Sequence, residues 1–141
     1  MALLNYTTKI DADKTAGEIA NMLRKAGAKA VLTEYDDEGE YVSSLSFKMK
    51  VGENDMSFKL PCDWKPVLEV LTNQGVSRSL LTREQAVRVS WRIVKNWIAA
   101  QLAIIETGMV KTEEVFLPYV IMANGNTLSE NIKENPQILI S

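Results

Sequence analysis

The chain has 141 residues, 46% hydrophobic and 24% charged, and its 16 basic residues against 18 acidic ones leave a formal charge of −2. That length and balance describe a single ordinary domain, residues 1–141, able to bury its own core. They supply no global field to draw the chain onto nucleic acid or an anionic membrane. With no histidine and a single cysteine, Cys62, an intramolecular disulfide, a Ser–His–Asp or Cys–His dyad, a thiolate cluster and a histidine-based metal site are all excluded.

Chemistry built on carboxylates, lysine or tyrosine stays open. The expectation is nonetheless a binding protein, not an enzyme, with no cofactor and no metal. The start, MALLNYTTKIDADK, lacks the charged, apolar and small-residue regions of a signal peptide. The longest apolar runs, 97–105 and 115–123, are broken by Gln101 and Pro118 and fall well short of the roughly 20 residues that span a bilayer. A cytoplasmic protein without a membrane partner is expected.

In chain order, Asn5–Ile10 is β-prone through Tyr6, Thr7, Thr8 and Ile10. A helix follows, with Asp11 or Asp13 as N-cap, Thr15 and Glu18 at capping-box spacing, an apolar stripe of Ala16, Ile19, Leu23 and Ala26, and Gly27 as its stop. Ala30–Tyr35 reads as a strand and Asp36-Asp37-Glu38-Gly39-Glu40 as a polar turn. Val42–Val51 sets Leu45, Phe47, Met49 and Val51 against Ser44, Ser46, Lys48 and Lys50, a period-two strand with one wet face. Gly52–Asp55 returns the chain into Met56, Phe58 and Leu60. The first sixty residues thus predict a β-α-β-β-β arrangement, a mostly antiparallel sheet with a helix on one face. A short helix over Trp64–Thr72, a loop with Gly75, and a long helix over Arg83–Glu106 opened near Thr82 and stopped by Gly108 come next. Helical turns around Thr112–Tyr119, a turn at Asn124-Gly125-Asn126 and a weak helix over Thr127–Lys133 complete an α+β domain with a helical C-terminal segment.

The long helix carries the most information. At about 100° per residue, Glu84, Arg88, Arg92, Lys95, Ala99, Ala103 and Glu106 share one arc, and Val87, Trp91, Val94, Ile98, Leu102 and Ile105 form one apolar flank. Ala86, Val89, Ile93, Trp97 and Ile104 form the other. An apolar surface this wide needs two coverings. Either the helix runs through the centre of the fold, or one flank pairs with the same helix of a second copy in a homo-oligomer.

Candidate ligand-binding residues follow from these placements. Arg88, Arg92 and Lys95 are neighbours at i, i+4 and i+7 and can together hold a phosphate or a partner carboxylate; individually each reads as part of a solvated face, with Glu84 pairing Arg88. Phe116 and Tyr119, beside Pro118, are the aromatics best placed to be exposed, although aromatics more commonly fill a core. Asn124 and Asn126 can offer amides to a ligand or simply build a turn. The acidic turn at 36–40 lacks the spacing of a calcium loop, and Cys62, with no histidine to activate it, reads as a small buried residue.

Together, NYTTKI-x4-T-x2-EI, LTEYDDEG, LSFKMK, FKLP and above all REQAVRVSWRIVKNWIAAQLAIIETGMVKTEEVFLPY resemble a family of small uncharacterised bacteriophage and prophage proteins, mostly from Gram-positive hosts. The resemblance implies a mobile-element origin, a place in the bacterial cytoplasm and no catalytic residues. It points to a counter-defence protein that sequesters a small phosphorylated nucleotide signal or blocks a host defence protein. The alternative is a nucleic-acid-binding protein assisting replication or recombination, for which the chain shows one short basic arc and no exposed aromatics on the wet strand face.

Overall fold

The computed structural model describes residues 2–140. Its elements are α1 (Ala12–Lys25), β1 (Ala30–Tyr35), β2 (Val42–Val51), β3 (Asn54–Lys59), α2 (Trp64–Asn73), α3 (Arg83–Glu106), α4 (Thr112–Phe116) and α5 (Leu128–Glu134), with single 3₁₀ turns at Arg78–Leu80, Leu117–Tyr119 and Pro136–Leu139. The strands form an antiparallel meander, β1-β2-β3. α1 and α3 pack against each other, α2 packs on α3, and α1 also lies on β1 and β2. Among the described residues, no helix is long and apolar enough to cross a membrane.

Local chemistry explains the boundaries. Gly27 ends α1 at φ 108°, so that Ala28 N–H reaches back to Leu23 O at 2.9 Å and satisfies a carbonyl the helix would leave open. Gly52 at φ 63° is the first residue of the two-residue turn between Val51 and Asn54, the position at which a type II′ hairpin calls for glycine. Thr82 caps α3 by accepting from Gln85 N–H at 3.1 Å. The capping box expected at Thr15 and Glu18 lies elsewhere: Thr15 is buried inside α1, and the reciprocal pair is Thr127 with Glu130, where α5 begins.

The α+β class holds, with one correction at the N-terminus. Asn5–Ile10 is not a strand, and the order is α-β-β-β. Its backbone is satisfied without a sheet: Tyr6 and Thr8 N–H close turns on Leu3 O and Asn5 O, and the buried Gln85 amide donates to Tyr6 O at 3.0 Å and Thr8 O at 2.9 Å.

One core joins these layers. Ile19 and Leu23 of α1, Leu45 and Phe47 of β2, Phe58 of β3, and Val87, Trp91 and Ile98 of α3 are all buried in it. The C-terminal segment belongs to it through Phe116, whose ring meets Phe47 edge-on at 5.4 Å and Trp97 at 5.8 Å. Trp91 reaches through the core to donate from Nε1 to Val42 O at 3.1 Å, tying α3 to the start of β2. Phe116→Ala is expected to cost about 3–5 kcal/mol in urea denaturation, in one cooperative transition. Ile138→Ala, at a 56% exposed position, should change stability by less than about 0.5 kcal/mol.

Candidate functional site

The basic trio sits on α3 as expected, but it does not face solvent. It faces α1. Arg92 Nη1 donates to Glu18 Oε1 at 3.1 Å and contacts Thr15 Oγ1, and Lys95 Nζ bonds the other oxygen of the same carboxylate. The Arg92 and Lys95 side chains are only 16% and 21% exposed. Arg88 makes the expected i,i+4 pair with Glu84 at 2.6 Å, donates from Nη1 to Gln85 Oε1 at 3.2 Å, and lies 3.7 Å from Asp11. Asp11, Glu18 and Glu84 thus stand opposite the three cations; Arg92 and Lys95 tie α3 to α1 through Glu18, while the short Arg88–Glu84 pair lies within α3.

Lys95, through its hydrogen bond and its charge, and then Arg92 hold the Glu18 carboxyl below its usual range against the opposing effect of burial. A carboxyl lowered in the folded chain stabilises above its ordinary value and loses that contribution as pH falls through the folded value. Glu18→Gln is therefore expected to destabilise by about 1 kcal/mol at neutral pH, with the gap from wild type closing as pH falls below the ordinary carboxylate range. Urea midpoints measured across that interval test both statements.

The remaining expected site residues lie apart from the trio. Phe116 is fully buried in the aromatic cluster, and Tyr119, half-buried, stands edge-on to Trp97 at 5.6 Å. Asn124 and Asn126 build a turn: Asn126 N–H donates to Asn124 Oδ1 at 3.0 Å, and Asn124 Nδ2 to Asn131 Oδ1 at 3.0 Å. The amides are engaged with one another and with α5.

A different constellation forms where the β1–β2 turn, the start of α2 and the start of α3 meet. The guanidinium of Arg83, the first residue of α3, lies between two aromatic rings, 5.0 Å from the Tyr41 centroid and 5.2 Å from the Trp64 centroid. Its Nη2 donates to Asp36 Oδ2 at 2.9 Å, while Asp36 Oδ1 accepts Glu40 N–H at 2.7 Å and shapes the turn. Arg83 Nε is buried and has no hydrogen-bond partner among the described residues. These groups line a cavity of about 230 Å³ whose wall also includes Cys62 and Ser90, with Lys65 and Asp63 at the same site.

The Cys62 thiol donates to Ser90 Oγ at 3.6 Å and is pushed up to about 12, chiefly by desolvation, so it stays a neutral thiol. Burial, then the carboxylates of Glu40 and Glu84, also raise the Tyr41 phenol. What the cavity offers a ligand is a guanidinium fork held in place by stacking, a spare N–H, and aromatic walls.

The Arg83 site was absent from the expected residues, yet the sequence carries a trace of it. A cation at the first position of a long helix sits at the positive end of the helix dipole, a locally unfavourable placement that needs compensation. Asp36 and Tyr41 from the β1–β2 turn and Trp64 from the start of α2 supply it.

No protein-family model matches the chain, and no curated protein or solved structure is significantly similar to it.

Proposed function

We propose that the protein is a non-enzymatic binding protein that sequesters a small phosphorylated ligand, with the Arg83 cavity as its recognition element. The observation that carries this reading is the buried, unpartnered Arg83 Nε within a guanidinium already fixed between Tyr41 and Trp64. Among the described residues, only one of the five guanidinium N–H groups is bonded within the chain, to Asp36, and the side chain is 40% exposed, so its outer N–H groups are open to a ligand oxygen. Because the fork packed between the two rings loses little freedom on binding, its unbonded N–H groups are preorganised.

The size and charge of the cavity define what it takes. At about 230 Å³ it is below the roughly 300 Å³ at which pockets begin to enclose a whole drug-sized ligand. It admits one phosphoryl or similar acceptor group, while the remainder of a nucleotide lies across Trp64 at the mouth. Asp36 and Asp63 balance Arg83 and Lys65 along the lining, so recognition rests on directed hydrogen bonding and stacking more than on net charge. For a phage-encoded protein, such capture serves to withdraw a nucleotide signal of host immunity.

The nucleic-acid reading has less support. The outer sheet face presents Lys48, Lys50 and Lys59 beside Ser46 and Ser57, cations without an aromatic ring on which a base could stack.

Native mass spectrometry with inorganic phosphate, a nucleoside monophosphate and a cyclic dinucleotide tests the proposal, with intrinsic tryptophan fluorescence, compared with a Trp64→Phe variant, as the solution readout. A stoichiometric adduct is expected, weakened about ten- to a hundredfold in Arg83→Gln and restored only in part by Arg83→Lys, which keeps the charge and loses the fork. Absence of any adduct, or equal binding by Arg83→Gln, would overturn it.

A further inference from the structure

The two edges of the sheet are finished differently. At β3 the C-terminal segment closes the edge: Ile121 N–H donates to Ser57 O at 2.8 Å, and Val120 bridges Phe58. β1 pairs only with β2. Among the described residues no backbone hydrogen bond crosses its other side, and none of its residues is buried.

The direction of its backbone groups follows from the ladder. Leu60 N–H donates to Leu45 O at 3.0 Å, so the odd residues of β2 turn their backbone groups toward β3 and the even ones toward β1. Ala30 and Leu32, opposite Lys48 and Ser46, are therefore the bonded residues of β1. Val31 and Thr33 keep an N–H and a C=O pointing outward. An open edge of this kind is a template for another strand. Its usual defences are missing from its centre: there is no proline, the bulge comes only at Glu34/Tyr35, and Leu32 is 57% exposed.

Charge selects the occupant. The strand begins basic, at Lys29 with Arg24 and Lys25 ending α1 beside it, and ends acidic, at Glu34, Asp37 and Glu38. Lys29 reaches Asp55 at 3.0 Å but stays half exposed. A strand with that polarity is its own antiparallel complement, because a two-fold axis brings the basic end of each copy against the acidic end of the other. On the helix side of the edge, a groove of about 290 Å³ lies between α1 and β1, lined by Gly17, Ala20, Arg24 and Val31 among others. The odd-numbered side chains of an added strand fall over it. Placing Thr33 on the axis sets Tyr35 of each copy, 52% exposed in the single chain, opposite Val31 of the other, above that groove.

We propose that the β1 edge is the interface between two copies of this chain, paired antiparallel through β1 about a two-fold axis at Thr33. The two three-stranded sheets then form one continuous sheet.

Sedimentation equilibrium of the full chain over a concentration series, with amide hydrogen exchange at the same concentrations, tests this. A monomer–dimer equilibrium is expected, with the Val31 and Thr33 amides gaining protection as the dimer fills. Thr33→Pro removes an N–H that no bond within one copy uses, at an edge position that accepts proline; it should melt as wild type and stay monomeric. Leu32→Lys leaves the backbone intact and should weaken the dimer about tenfold, which keeps the test decisive if the proline variant does not fold. Lys29→Glu and the double variant Asp37→Lys/Glu38→Lys should each dimerise poorly alone and regain a dimer when mixed. A chain that stays monomeric overturns the proposal, as does a dimer that survives Thr33→Pro, which would place the interface elsewhere, as on α3. Protection of Val31 and Thr33 only on adding an extended peptide from another protein would overturn it in favour of a foreign strand.

Discussion

A 24-residue helix whose apolar residues cover well over half of its circumference cannot be satisfied by one sheet. The rest of the molecule is arranged around that constraint. Along the first two-thirds of α3, Gln85, Ala86, Val87, Val89, Ser90, Trp91, Val94 and Ile98 are buried, with α1 and α2 both packed on the helix and the sheet reached through the Trp91–Val42 hydrogen bond. Further along, Trp97 takes the aromatic cluster that brings in Phe116 and Tyr119. The C-terminal segment then continues to the β3 edge and closes it. The coverings are supplied within one chain over most of the helix, and this is why the open edge of the sheet is the surface proposed for another copy.

The same crowding decides what the charged residues do. A helix pressed against α3 along its polar arc must meet Arg88, Arg92 and Lys95 with carboxylates or leave partly buried cations unmatched, which would be costly. Glu18 answers two of them at once. This makes the trio an orienting seam between α1 and α3. Arg83, one turn before that seam, lies beyond the reach of α1, and its compensation comes instead from the β1–β2 turn and α2. The result is a cavity at a junction of three elements, with a guanidinium set against two rings and bonded to the chain through one N–H group.

The contrast between these two basic clusters is what supports the proposal of Arg83 as the recognition element. In the trio every charge has an acidic partner within the chain. At Arg83 the charge is paired with Asp36, but the hydrogen-bonding capacity is not exhausted. Electrostatic neutrality and hydrogen-bond satisfaction are separate conditions, and a site that meets the first without the second attracts a polar acceptor without acting as a general anion sponge. Cys62, whose thiol burial pushes up to about 12, and the uncharged phenol of Tyr41 complete the lining.

Local signals were legible in the sequence wherever a short-range rule governs the backbone. The β1 and β2 boundaries, the Gly52 turn, the Thr82 cap, and the extent of α3 up to Gly108 all follow from period, capping and turn chemistry within a few residues. The α+β class followed from them. What only the tertiary structure decided depends on partners far apart in the chain. Asn5–Ile10 has strand-like residues, yet Gln85, 77 and 79 positions away from the two carbonyls it binds, takes the bonds a sheet would have used. Arg92 and Lys95 look like a solvated cationic arc until Glu18 is brought to them. Arg83, Tyr41, Trp64 and Asp36 share no local pattern, because their meeting is set by how the ends of three elements pack. Periodicity reports which face of an element is apolar; which charges and rings meet across two such faces is fixed only when they are packed together.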